Sequence, residues 1–91
     1  MAVAVHINPH LMTKKDYERV ISELQASGAD EPEGRRFHAA YGDDDNLSLF
    51  EVWDSKEQFD AHSDDLFETL QAAGVDAGSI EVYQLHSAPP D

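Results

Sequence analysis

The chain has 91 residues, no cysteine, and a formal charge of −13 from 19 acids against 6 bases. A chain this short makes one domain with a modest core, so a partner subunit is expected, and without cysteine neither a disulfide staple nor a thiolate zinc site can form. An exterior this negative repels phosphate backbones and anionic lipid, which argues against nucleic-acid and membrane partners.

No apolar run reaches membrane-spanning length, and Met1–His6 is too short and uncharged for a signal peptide. A soluble, cytoplasmic protein is expected. Residues 2–8 read as a first strand, with Val3, Val5 and Ile7 alternating against Ala4, His6 and Asn8. Asn8-Pro9 is expected to end it, because proline interrupts the ladder. Thr13 then offers an N-cap hydroxyl, answered by Asp16 as in a capping box. Tyr17, Val20, Ile21 and Leu24 follow the spacing of one helix face, and Gly28 suits the left-handed terminator.

Ala29–Glu33 is an acidic loop, followed by a second strand over Arg35–Tyr41. On that strand Phe37, Ala39 and Tyr41 oppose Arg36, His38 and Ala40. Gly42–Asn46 makes a hairpin turn. The third strand, Leu47–Trp53, is apolar on both faces: Leu47, Leu49 and Trp53 on one, Phe50 and Val52 on the other. A second helix starts at a cap on Asp54 or Ser55 and buries Phe59, His62, Leu66, Phe67, Leu70 and Ala73 before Gly74. A fourth strand spans Ser79–His86, with Ile80 and Val82 opposite Tyr83 and Leu85, and residues 87–91 form a tail.

The order β-α-β-β-α-β predicts one ferredoxin-like α+β domain over residues 1–91, an antiparallel four-stranded sheet with both helices on one face. The other face also carries apolar groups and needs cover. A second copy is the simplest cover, so a homodimer is expected.

The element order, the size and the run Val52-Trp53-Asp54-Ser55-Lys56-Glu57-Gln58-Phe59-Asp60-Ala61-His62 resemble the dimeric α/β-barrel proteins of antibiotic biosynthesis monooxygenase type. Gly34-Arg35-Arg36-Phe37-His38 is similar to small uncharacterised members. The resemblance implies a barrel of two sheets and a small organic ligand in a pocket beside each sheet. Some relatives oxidise reduced aromatics with dioxygen and no cofactor, and others degrade haem. Alignment on Trp53 puts the haem-degrading members' asparagine at Asn8, their helix tryptophan at His62 and their iron ligand near Gln71. Glutamine ligates iron poorly, so haem degradation is not expected, and no cofactor is.

With the valines under the helices, His6 and Asn8 would look into the barrel. Asn8 could bond a substrate oxygen, with His38 or His6 as general base. Trp53, Phe50, Phe59, His62 and Tyr83 are the candidate pocket walls. The bland alternative is that the polar groups satisfy one another. The five histidines show no metal-ligand spacing, so no metal site is expected, and Asp43–Asn46 lacks the glycine and glutamate of a calcium loop. Arg35 and Arg36 could grip an anion or answer the acidic surface. The residues favour a dimer that binds a small organic ligand without turnover; the alternative is a cofactor-independent monooxygenase-like enzyme on a reduced aromatic or quinol-type substrate.

Overall fold

The structure, a computed structural model, describes residues 2–87. Apart from Ser87, the expected tail lies outside them. The elements run β1 (Val3–His10), α1 (Lys14–Ser27), β2 (Arg35–Asp43), β3 (Asn46–Trp53), α2 (Lys56–Ala72) and β4 (Asp76–Gln84). The sheet order is β2-β3-β1-β4 and every neighbouring pair is antiparallel. This is the expected ferredoxin-like arrangement. Among the described residues, no helix is long and apolar enough to cross a membrane.

Local chemistry sets the helix ends. Thr13 Oγ1 accepts the Asp16 N–H at 3.0 Å, and an Asp16 carboxylate oxygen accepts the Thr13 N–H at 3.2 Å. That reciprocal pair satisfies two otherwise orphan donors at the start of α1. Gly28, at φ 79°, closes the helix, with its N–H donating to the Gln25 carbonyl at 3.1 Å. Of the two candidate caps for α2, Ser55 is the one used: its hydroxyl accepts the Gln58 N–H at 3.2 Å.

Strand parity separates two faces. Val3, Val5 and Ile7 of β1 join Leu47, Leu49 and Trp53 of β3 beneath Val20, Leu24, Phe59, Leu66 and Leu70 of the helices. This is the core.

Strand β2 runs on to Asp43 and β3 starts at Asn46, so the hairpin turn is Asp44-Asp45 rather than Gly42–Asn46, and three further features differ from expectation. Strand β1 runs on through Pro9 to His10, because its pairing with β3 has ended at Ile7 and its ladder with β4 shifts register between Asn8 and His10. No ladder donor is required of Pro9 there. Strand β4 starts at Asp76 rather than Ser79 and ends at Gln84 rather than His86. Its early start depends on Gly78, at φ 67°, where a Cβ would lie 1.9 Å from the Asn8 carbonyl oxygen. Only glycine allows that approach. The third difference is a register shift between Arg35 and Phe37 against β3. It places Arg35, rather than Arg36, on the helix-covered face with His38. Arg36 points outward and pairs with Asp54 at 2.6 Å.

The opposite face can be read across all four strands. Cross-strand partners form one row of Phe37, Val52, Ala4 and Tyr83, and a second of Ala39, Phe50, His6 and Glu81. A third row holds Tyr41, Ser48, Asn8 and Ser79, joined by Ser48 donating to Asn8 Oδ1 at 3.0 Å. Of these side chains Glu81 is the single acid, and none is a lysine or arginine, in a chain whose net charge is −13.

Candidate functional site

The helix-covered face contains one carboxylate among apolar neighbours. Glu51 lies between Leu49 and Trp53 at the same strand parity and is 1% exposed. A buried charge must be paired and hydrogen-bonded to persist. Here Trp53 Nε1–H donates to Glu51 Oε1 at 2.9 Å, and His38 Nδ1 meets Oε2 at 2.6 Å. The Arg35 guanidinium stands 3.5 Å from the same oxygen. Burial pushes the Glu51 carboxyl upward, but the hydrogen bonds from His38 and Trp53, with the charges of His38 and Arg35, outweigh it and hold the group below its usual range. Glu51 is therefore an anion.

An ionised carboxylate only accepts, so the His38 proton belongs on Nδ1. In the neutral imidazole His38 Nε2 is then an acceptor, and the Tyr17 hydroxyl lies 2.6 Å from it. The Tyr17 phenol is pushed up by burial, with Arg35 opposing and Glu51 adding to the rise, so it stays protonated and donates. The resulting line runs from Tyr17 on α1, through His38 on β2, to Glu51 on β3. Its geometry is that of an imidazole whose tautomer and orientation are set by a carboxylate behind it.

Helix α2 supplies the remaining wall. Phe59 meets Trp53 edge-on with ring centroids 5.7 Å apart, and His62 lies 5.4 Å from the Trp53 ring. His62 is 6% exposed, and its Nε2 has no hydrogen-bond partner among the described residues. Burial holds its pKa below the ordinary histidine value.

The candidate residues thus divide between two faces. His38, Trp53, Phe59 and His62 gather on the inner side of the sheet. His6, Asn8, Phe50 and Tyr83 lie on the open side. There His6 Nε2 bonds the Tyr41 hydroxyl, His6 Nδ1 stands 3.4 Å from Glu81, and Asn8 bonds Ser48 and Ser79. A shallow concavity of about 440 Å³, lined by Ala4, His6, Ala39, Tyr41, Phe50 and Tyr83, occupies the middle of that face. Asn8 and His38 therefore cannot act on one atom within one subunit. Sequence reasoning missed Glu51 and the hydroxyl role of Tyr17. For Glu51 the signal was present, an acid at the parity of Leu47, Leu49 and Trp53.

No family model matches the chain, and no curated protein matches it in sequence. Solved structures do match. SnoaB, a cofactor-independent oxygenase from Streptomyces nogalater, superposes with a TM-score of 0.63 at 14% identity, over 99% of this chain and 96% of that one. A Deinococcus radiodurans protein named as a candidate antibiotic biosynthesis monooxygenase gives 0.64 at 13% identity, over 97% and 95%. Rv0793 from Mycobacterium tuberculosis gives 0.60 at 16% identity, over 97% and 96%. At these identities the likeness concerns backbone architecture, and activity has to be argued from side chains. The chain shares its ferredoxin-like fold with SnoaB and with the candidate antibiotic biosynthesis monooxygenase from Deinococcus radiodurans.

Proposed function

We propose that this protein binds a small organic ligand between its sheet and helices, as a homodimer joined through the open sheet face. The observation that carries the reading is the buried line Tyr17–His38–Glu51. A carboxylate at 1% exposure, serving an imidazole that faces a phenol, is more than packing needs. An apolar residue at position 51 would fill the same space without the cost of desolvating a charge. Perturbed ionisable groups in such an arrangement mark candidate sites.

A second reading, a cofactor-independent monooxygenase-like enzyme, is supported by the same line. Oxidation of a reduced aromatic or quinol-type substrate by dioxygen begins with loss of a hydroxyl proton, and His38 Nε2, backed by Glu51, is the group placed to take it. Tyr17 would yield its place on Nε2 to the substrate hydroxyl.

A thermal-shift screen of small aromatic compounds, followed by oxygen uptake with reduced quinones, separates the two. Binding that weakens at least tenfold in His38→Phe, with folding intact, supports the site. Oxygen uptake that falls at least a hundredfold in the same variant supports the enzyme, within the usual range of about 10²–10⁴ for a general base. Binding indifferent to His38, or no binding across the screen, contradicts the reading.

A further inference from the structure

Besides Glu51, the buried polar side chains among the described residues are Ser63, which donates to the Asp60 carbonyl at 2.8 Å, and His62, which the Tyr17–His38–Glu51 line does not use. The polar atoms of the line itself have partners. Glu51 Oε1 takes the Trp53 indole N–H, and Oε2 takes His38 and Arg35. Tyr17 is held by His38, and Arg35 also donates to the Asp30 carbonyl at 2.7 Å. Among the described residues, His62 Nε2 is the fully buried side-chain atom left without a partner, although a buried polar atom is nearly always hydrogen-bonded.

The charges around it limit what could meet that nitrogen. Charges of both signs act on His62: the ionised Glu51, with Arg35 standing 3.5 Å from its carboxylate, and Asp65 one turn along the same helix. Burial keeps His62 itself neutral; Glu51 and Asp65 act against that, while Arg35 and His38 reinforce it. An incoming carboxylate would bring an unmatched negative charge beside Glu51. An incoming cation would face Arg35. An uncharged oxygen function needs no compensating charge, since neutral imidazole serves either polarity: a hydroxyl donates to Nε2 when the proton is on Nδ1, and a carbonyl accepts when it is on Nε2.

We propose that His62 Nε2 is the anchoring atom of the interior site, and that it selects an uncharged ligand through a carbonyl or hydroxyl oxygen set beside Trp53. This rests on the ligand-binding reading above, and adds to it the ligand's charge and its point of attachment.

Three probes of nearly one shape test it on the full chain: benzamide, benzoate and benzamidinium. Each is titrated against protein with ¹⁵N-labelled histidine while the ring nitrogen signals are followed. Benzamide is expected to shift the His62 signals saturably, and the two ions to bind at least tenfold more weakly. His62→Phe should lose benzamide affinity at least tenfold, while His62→Gln, which keeps a hydrogen-bonding end, recovers part of it. The His62→Phe melting temperature should stay level or rise, because the substitution removes an unmatched buried nitrogen. A purely structural histidine would lower it.

Equal binding of benzoate, benzamide affinity unaltered in His62→Phe, or no saturation by any probe overturns the proposal. The two ideas fail separately. A screened ligand that depends on His38 but not on His62 removes the anchor and leaves the site.

Discussion

Glu51→Ala is expected to be the most damaging single substitution in this protein. It removes the acceptor shared by Trp53, His38 and Arg35 and leaves all three facing a buried gap. Breaking a buried ion pair from one side typically costs about 3–5 kcal/mol. A domain of this size has only ~5–15 kcal/mol in total. A fall in melting temperature of more than about 12 °C should follow, at ~4–8 °C per kcal/mol in small domains. Glu51→Gln keeps the volume but turns one acceptor into a donor aimed at other donors, so it should destabilise as well, by less. Chemical denaturation across pH tests the origin of the effect. The folded-state pKa of Glu51 lies below the unfolded value, so its contribution is complete above the unfolded pKa of about 4.3 and is lost as pH falls through the folded value. The gap between wild type and Glu51→Gln should therefore be constant from pH 6 to 8 and narrow on acidification below about pH 4. A gap that widens there would mean Glu51 is not held as an anion.

The double substitution Phe37→Glu with Tyr83→Glu is expected to convert a dimer into folded monomers. Phe37 and Tyr83 lie at the two ends of one cross-strand row and are 48% and 56% exposed, so the single subunit does not rely on them for its core. Face-to-face pairing of two copies would remove all four rings from water, at about 1.5–3 kcal/mol for each fully buried aromatic. The scarcity of charge in the three central rows of this face, where Glu81 is the one acid and no lysine or arginine occurs, is what the centre of an interface requires. Two copies at −13 each repel one another elsewhere, so association should tighten as salt screens that repulsion. Sedimentation should report twice the 10.1 kDa chain mass for wild type. The variant should weaken pairing at least a hundredfold, a change of about 2.7 kcal/mol. A wild-type monomer at micromolar concentration would remove this part of the account.

The fold was legible because its signals are local. Thr13 with Asp16, Gly28, and the alternation of Val3, Val5 and Ile7 each specify an element without help from distant residues. The third strand shows where that kind of reading stops. Leu47, Leu49 and Trp53 read as one apolar face, and Glu51 has the same parity and belongs with them. An apolar pattern leaves the acid out, although period two places it inside. Arg35 was hidden for a different reason. Its inward position comes from a register shift against β3, and register is a property of the paired strands rather than of one. Tyr17 sat correctly on the buried stripe of α1, but its hydroxyl partner lies 21 residues away on another element. The candidates His6 and Asn8 were placed on the correct face. What sequence could not supply was that His38 looks the other way, so the histidines form two separate groups.

The proposed ligand site lies on the inner face, at His38 and His62, rather than on the open face at His6. The most direct test follows the histidine ring nitrogens of ¹⁵N-labelled wild-type protein as the best compound from the thermal-shift screen is added. Saturable shifts are expected at His38 and His62, with His6 unmoved, and a free-state His38 protonated on Nδ1. Shifts confined to His6, with His38 and His62 unchanged at saturation, would contradict it.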